Sequence, residues 1–208
     1  GLSFVPAPPG FDPTHNVLYA FTPNDPYYNT GNPAGFPGQW HLDTQASGAV
    51  FDVNIVGAWN RNLTGQGVTI GIVDDSLQHA HPDLTANYVA ADSEDFRDGL
   101  GGDVDPSPVY SNVSATNRNG DNHGTSVAGV AAARGGNQTG VTGAAPLANL
   151  AGLRVDFPLQ TQFMFINATL FHSSGNNTNI KVKNHSYGVS APYIVRNGQA
   201  NALVTSHD

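Results

Sequence analysis

The chain has 208 residues, a formal net charge of −8, no cysteine, 24 glycines and 14 prolines, a length that holds one domain with a sizeable core. The missing cysteines exclude disulfides, metal thiolates and a thiol nucleophile, and eight scattered lysines and arginines give no basic face for nucleic acid. Nor does any apolar run approach the roughly 18 residues of a membrane span, or a charged-then-apolar leader open the chain.

Residues 1–38 are rich in Pro, Gly, Asn and aromatics such as Tyr27, Tyr28 and Phe36, which favours an extended N-terminal arm over the surface. Residues 54–60 read as a short helix leading into a strand at 67–73, a β-branched and apolar run that ends in the carboxylates Asp74 and Asp75. His79 and His81 follow two apart, but no obvious third ligand completes a zinc site. Residues 88–122 carry many Asp, Gly, Ser and Asn with little periodicity, so a long functional loop is expected. Ten of the sixteen acids lie between Asp74 and Asp121, where only Arg97 and Arg118 are basic, and this points to local cation binding. A small-residue helix is expected at 123–134, a strand at 150–155, a helix at 162–171, a strand at 180–187 and a further helix at 198–206. Strands alternating with helices imply an α/β fold, a doubly wound parallel sheet with helices on both faces.

The chemistry gathers around His123. It stands at the mouth of a helix that opens Gly-Thr-Ser and continues Val-Ala-Gly-Val-Ala-Ala-Ala, with so little bulk that it can pack closely on other backbone. A helix N-terminus disfavours a nearby cation, so an imidazole there tends to stay neutral, as a general base must. An aspartate at a strand end can hold the far nitrogen of that imidazole and stabilise the cation formed on proton uptake.

With these two segments go Gln39-Trp40-His41-Leu42, Ala58-Trp59, Thr64-Gly65-Gln66-Gly67-Val68, His81-Pro82-Asp83-Leu84 and Gly143-Ala144-Ala145-Pro146. In this order the motifs resemble the subtilisin-like serine proteases, and the kexin and furin branch more than the bacterial subtilisins. The resemblance implies a calcium-stabilised serine endopeptidase acting on peptide or protein substrates, secreted or extracellular, the periplasm included. It makes Asp74 the triad aspartate, His123 the triad base, and residues 39–208 the N-terminal part of the peptidase domain, incomplete at the C-terminus. No Gly-Thr-Ser nucleophile segment or oxyanion asparagine follows the last strand. The 208 residues alone are therefore expected to be inactive, and a missing C-terminal part, on a second fragment or chain, is the implied partner. A binding protein or a calcium-binding module on the same scaffold is the alternative.

The resemblance also implies two Ca²⁺ sites, built from oxygens as calcium requires. The first takes Asp52, Asp83, the Asn137 side chain and the carbonyls of Arg134, Thr139 and Val141. The second takes Asp95, Asp103 and Asp105. Ser186, Tyr187 and Gly188 occupy the place of an edge strand that pairs with substrate main chain. Asp75 and Asp121 match acids that favour a basic residue just before the cleaved one. Ser76 in place of the family's glycine, and Val189-Ser190-Ala191-Pro192 in place of its later acids, argue against a strong preference for Arg or Lys at the cleaved bond itself.

Overall fold

A computed structural model describes residues 20–29, 38–44, 51–98, 103–114, 117–155, 157, 161–173, 175 and 177–189, with short strand pairs at 11–12, 17–18, 195–196, 199–200 and 205–206. At its centre lies β1 (Thr69–Asp74), whose Thr-Ile-Gly-Ile-Val-Asp run is buried at five of six positions, as suits a strand covered on both faces. β2 (Glu94–Asp95), β3 (Asn149–Arg154) and β4 (Ile180–His185) complete a four-stranded parallel sheet in the order β2-β3-β1-β4. β1 and β3 run in unbroken register from Thr69 opposite Asn149 to Asp74 opposite Arg154. β4 carries an irregularity opposite Thr69 and Ile70.

Adjacent β1 residues point to opposite faces, and each face meets its own helix. Ile72 and Leu150 pack with Ala128 and Ala132 of α2 (His123–Ala132), whereas Val73 and Leu153 pack with Met164 and Ala168 of α3 (Gln162–Leu170); α1 (Val56–Trp59) is a short turn of helix outside these layers. This is the expected doubly wound arrangement. Thr161 caps α3, its hydroxyl accepting from Met164 N at 3.2 Å. At the other end the Lys183 ammonium donates to the carbonyls of Ala168, Thr169 and Phe171 at 2.6–2.7 Å, joining β4 to the C-terminus of α3.

The N-terminal residues 20–29 pack on the body. Phe21 meets Trp59 edge to face at 5.4 Å, Tyr28 lies 6.2 Å from the same ring, and the Trp59 indole donates to Ala144 O at 3.0 Å. The Gln39 amide exchanges two bonds with the Thr142 backbone, at 2.7 and 2.8 Å.

Two expectations need correction. The 88–122 stretch is no plain loop: it contributes β2 and an antiparallel hairpin, Tyr110–Ser114 with Asn117–Gly120. β2 is two acidic residues long, too short for a periodic signal, and its charge is buried because Arg97 and Arg154 face Asp95. In place of a helix at 198–206, Gln199–Ala200 pairs with Val195–Arg196 and Thr205–Ser206 pairs with Gly188–Val189. The Asn197-Gly198 dipeptide between the first two is a hairpin signal, and it outweighs the helix-compatible spacing.

Candidate active site

The carboxyl end of β1 and the first turn of α2 meet at Asp74 and His123. Asp74 is 1% exposed, and its two oxygens lie 2.9 and 3.0 Å from His123 Nδ1. Asp74 Oδ1 also accepts from Asp75 N at 2.7 Å. Burial holds the Asp74 carboxyl above its ordinary range, against the pull of the His123 and Asp75 bonds. With Nδ1–H given to Asp74, Nε2 of His123 is left to accept a proton.

Close approach explains Gly124. A Cβ there would stand 2.1 Å from Ser76 O and 2.7 Å from Asp74 Cβ, so only glycine lets the helix sit this near the strand end. Beside His123 lies a cavity of about 410 Å³ lined by Val127, Val130, Ala131 and Ala144 on one side and Asn184 and Ser186 on the other. Ser126 borders it too, but its hydroxyl donates to Asn122 O at 3.2 Å, closing its own helical turn.

The acids that the resemblance gives to substrate also hold partners within the chain. Asp75 is 6% exposed and accepts from His123 N at 3.1 Å and Gly124 N at 2.8 Å, satisfying two donors at the start of α2. The Asp121 carboxylate is paired with the Arg154 guanidinium. Ser186 lines the cavity with its hydroxyl donating to Asn184 Oδ1 at 2.6 Å. The Tyr187 ring packs 5.1 Å from Phe157 and 5.2 Å from Phe165. Burial, with the Asp74 charge adding to it, pushes the Tyr187 phenol up to about 12. Gly188, expected to pair with substrate, pairs with Ser206, because an open strand edge accepts whatever strand lies alongside.

Of the first calcium set, the structure joins Asp83, Asn137 and Val141. Buried Asp83 accepts from Asn137 Nδ2 at 3.0 Å and Val141 N at 2.8 Å, and Arg134 N donates to Asp83 O at 2.8 Å. Thr139 N donates to Asn137 Oδ1 at 2.8 Å. Asp52 is occupied elsewhere, accepting from Thr44 N and Asn54 N at 2.7 and 2.5 Å. Beside this loop stands Asp25 instead, its oxygens accepting from Gly136 N at 2.9 Å and Asn137 N at 3.2 Å. Burial raises the Asp25 carboxyl, and the Asp83 charge adds to the rise. Among the described residues, the hydrogen bonds these two carboxylates accept come from uncharged N–H groups. The signal for Asp25 is an acid alone in an aromatic, proline-rich stretch.

Of the second set, Asp95 and Asp103 are joined through their backbones, Asp95 N donating to Asp103 O at 2.8 Å, while the three carboxylates are bonded to separate partners. Asp95 takes bonds from Arg97 Nε at 2.8 and 3.0 Å, Asp105 accepts from His79 Nε2 at 3.2 Å, and the Asp103 carboxylate accepts from Asp105 N at 2.9 Å. Two cations already face Asp95, which leaves it a poor calcium ligand. Arg154 belongs to none of the sequence motifs, although a lone arginine ending an apolar strand needs partners once buried.

Residues 65–206 match the Subtilase family (Peptidase S8), to which the chain belongs, and a parallel α/β sheet with an Asp–His pair at its carboxyl end fits that class. The chain is 39% identical over 137 residues to proprotein convertase subtilisin/kexin type 7 of Mus musculus, a match covering 65% of this chain and 16% of that protein. It is 38% identical over 120 residues to the dibasic-processing endoprotease of Schizosaccharomyces pombe, covering 58% and 15%. The Aeromonas sobria serine protease, solved with its chaperone, superposes with a TM-score of 0.57 at 30% identity, over 79% of this chain and 28% of that one. A Pseudoalteromonas arctica protease gives 0.57 at 29% identity, over 82% and 52%. The chain thus spans a small part of the curated relatives it matches.

Proposed function

We propose that these residues supply the aspartate and base of an Asp-His-Ser triad in a secreted or extracellular, calcium-stabilised serine endopeptidase of the subtilisin/kexin type. The observation that carries this is the bond from buried Asp74 to His123 Nδ1, at 2.9 Å. Asp74 holds the imidazole in the tautomer that frees Nε2. His123 then removes the proton of a serine hydroxyl as it attacks the scissile carbonyl, and returns it to the departing amine. The serine and the oxyanion donors come from sequence outside these residues, seated in the cavity between α2 and β4, so the 208 residues alone do not hydrolyse peptides. Exposed Val130 and Val182, on α2 and β4, supply apolar surface for that segment. The test is a fluorophosphonate probe on the full-length protein. Labelling of a serine downstream of Asp208, abolished by His123→Ala, is expected; a full-length protein with no labelled serine would favour a non-catalytic binding module.

A calcium ion held by Asp25, Asp83, Asn137 and carbonyls of the 134–141 loop would neutralise two buried carboxylates and tie the N-terminal segment to that loop. If free calcium stands at about a hundred times its dissociation constant, binding stabilises by about 2.7 kcal/mol. A chelator should therefore lower the thermal midpoint by several degrees, and Asp83→Asn should erase that response. A midpoint indifferent to chelator rejects the site.

A further inference from the structure

One buried cation reaches both acids that the resemblance gives to substrate. Arg154 ends β3 opposite Asp74 and is 2% exposed. Its Nε donates to the Asp75 carbonyl at 2.8 Å, its Nη1 to Ser107 O at 2.5 Å, and its Nη2 meets Oδ2 of Asp121. Asp95 Oδ2 stands 3.6 Å from Nη1 and is shared with Arg97. Asp121 differs from the other acids of this cluster in its exposure. Its side chain is 37% exposed, Val109 N reaches the same Oδ2 at 3.5 Å, and among the described residues Oδ1 takes no hydrogen bond. The backbone of Asp121 is fixed as well, since Ser76 Oγ donates to its carbonyl at 2.6 Å. Two residues before the base, Asp121 thus has one oxygen anchored on a buried guanidinium and one left open.

We propose that Arg154 is a positioning residue for specificity, which holds the Asp121 carboxylate and the Asp75 backbone in the pose that receives a basic side chain just before the cleaved residue. The inference rests on the triad reading of the site and on the substrate role that the resemblance gives to these two acids. A freely rotating acid must be ordered as the substrate binds, at a cost in affinity; an acid already anchored avoids that cost. A guanidinium suits the task because its donors lie in a fixed planar fork, so one buried side chain bonds acceptors on three segments at once. An ammonium gathers its donors on a single atom and cannot span Asp75 O, Ser107 O and Asp121 together. Lysine at this place therefore keeps the charge and loses the geometry.

The test uses Arg154→Lys, Asp121→Asn and their double variant in the full-length protein, with kcat/KM for two peptides that differ only by Lys or Ala just before the cleaved residue. Binding of the same peptides is measured in a His123→Ala background, where no cleavage intervenes. The Lys-to-Ala ratio should fall about tenfold in Asp121→Asn, the loss expected for a hydrogen bond to a charged group, and about three- to tenfold in Arg154→Lys. The double variant should fall no further than Asp121→Asn alone, because residues that act through one another are not additive. A ratio is independent of the folded fraction, so partial unfolding of Arg154→Lys does not mask the result, and Arg154→Gln gives the same reading if a buried ammonium prevents folding. Both peptides slowed alike with the ratio unchanged would show a merely structural role and overturn the proposal. So would a double variant whose losses multiply, or a parent that does not prefer the Lys peptide. The expected binding ratios in a full-length protein that hydrolyses neither peptide would support the proposal and sink the triad reading separately.

Discussion

Asp74→Asn in the full-length protein is expected to lower kcat by about 10⁴-fold with little change in thermal midpoint. The Asn oxygen can still accept from Asp75 N, so the strand end keeps the bond that Asp74 Oδ1 makes at 2.7 Å. At His123 the carboxylate is replaced by an amide that can turn its NH₂ toward Nδ1. That nitrogen must then accept, the proton moves to Nε2, and the base has no lone pair for the serine. Burial also costs the wild-type carboxylate stability, since it raises its pKa, so a neutral isostere has no folding penalty from charge. Steady-state kinetics with a peptide substrate and a melting curve check both halves. A loss of less than about tenfold would mean that Asp74 does not orient the base.

The second large effect is expected at Gly124. An alanine in an ordinary exposed helical position gains up to about 1 kcal/mol over glycine. Here the added carbon would lie 2.1 Å from Ser76 O, a backbone atom at the turn that also carries Asp74. Neither side can yield without pulling the helix start from the strand end. Overpacking of this kind costs about 1–3 kcal/mol, so strain outweighs propensity. A displacement of order 1 Å at His123 would also lose about 10²-fold in kcat. Gly124→Ala should therefore melt lower and turn over more slowly, whereas Gly129→Ala, which meets nothing within 4 Å, should melt no lower than the parent. Equal melting of Gly124→Ala and parent would show that the helix does not approach so closely.

What was legible in the sequence is what local pattern encodes. Thr69–Asp74 is β-branched, apolar and closed by an acid, and the structure makes it the central strand within two residues of the expected bounds. The small residues after His123 likewise foretell a helix lying close on backbone. Glu94–Asp95 gives no such signal, because a two-residue acidic strand becomes buried only through arginines supplied from Arg97 and Arg154. Asp75 is ambiguous for a related reason. A carboxylate after a strand reads the same whether it faces a substrate or a helix terminus, and only the fold decides. Asp25 and Asp52 show the same limit, since two acids in irregular chain read alike until the loop at 134–141 comes to one of them.

The stitching of the N-terminal segment to the middle of the chain bears on how the protein is made. Asp25 finds its amide donors 111 and 112 residues later, Gln39 its backbone partner 103 later, and Trp59 its acceptor 85 later. At ordinary synthesis rates, the interval before residue 136 follows Asp25 out of the ribosome is about 5–20 s. Throughout that time Phe21, Tyr28 and Trp59 have no covering from Ala144, although all four end in one cluster. A segment translated well before its partners is thus fixed late, and its contacts span long loops whose closure slows folding. A nascent chain stalled before residue 136 would present an aromatic cluster that lacks its cover from Ala144, which makes this interval the one in which a chaperone has most to protect.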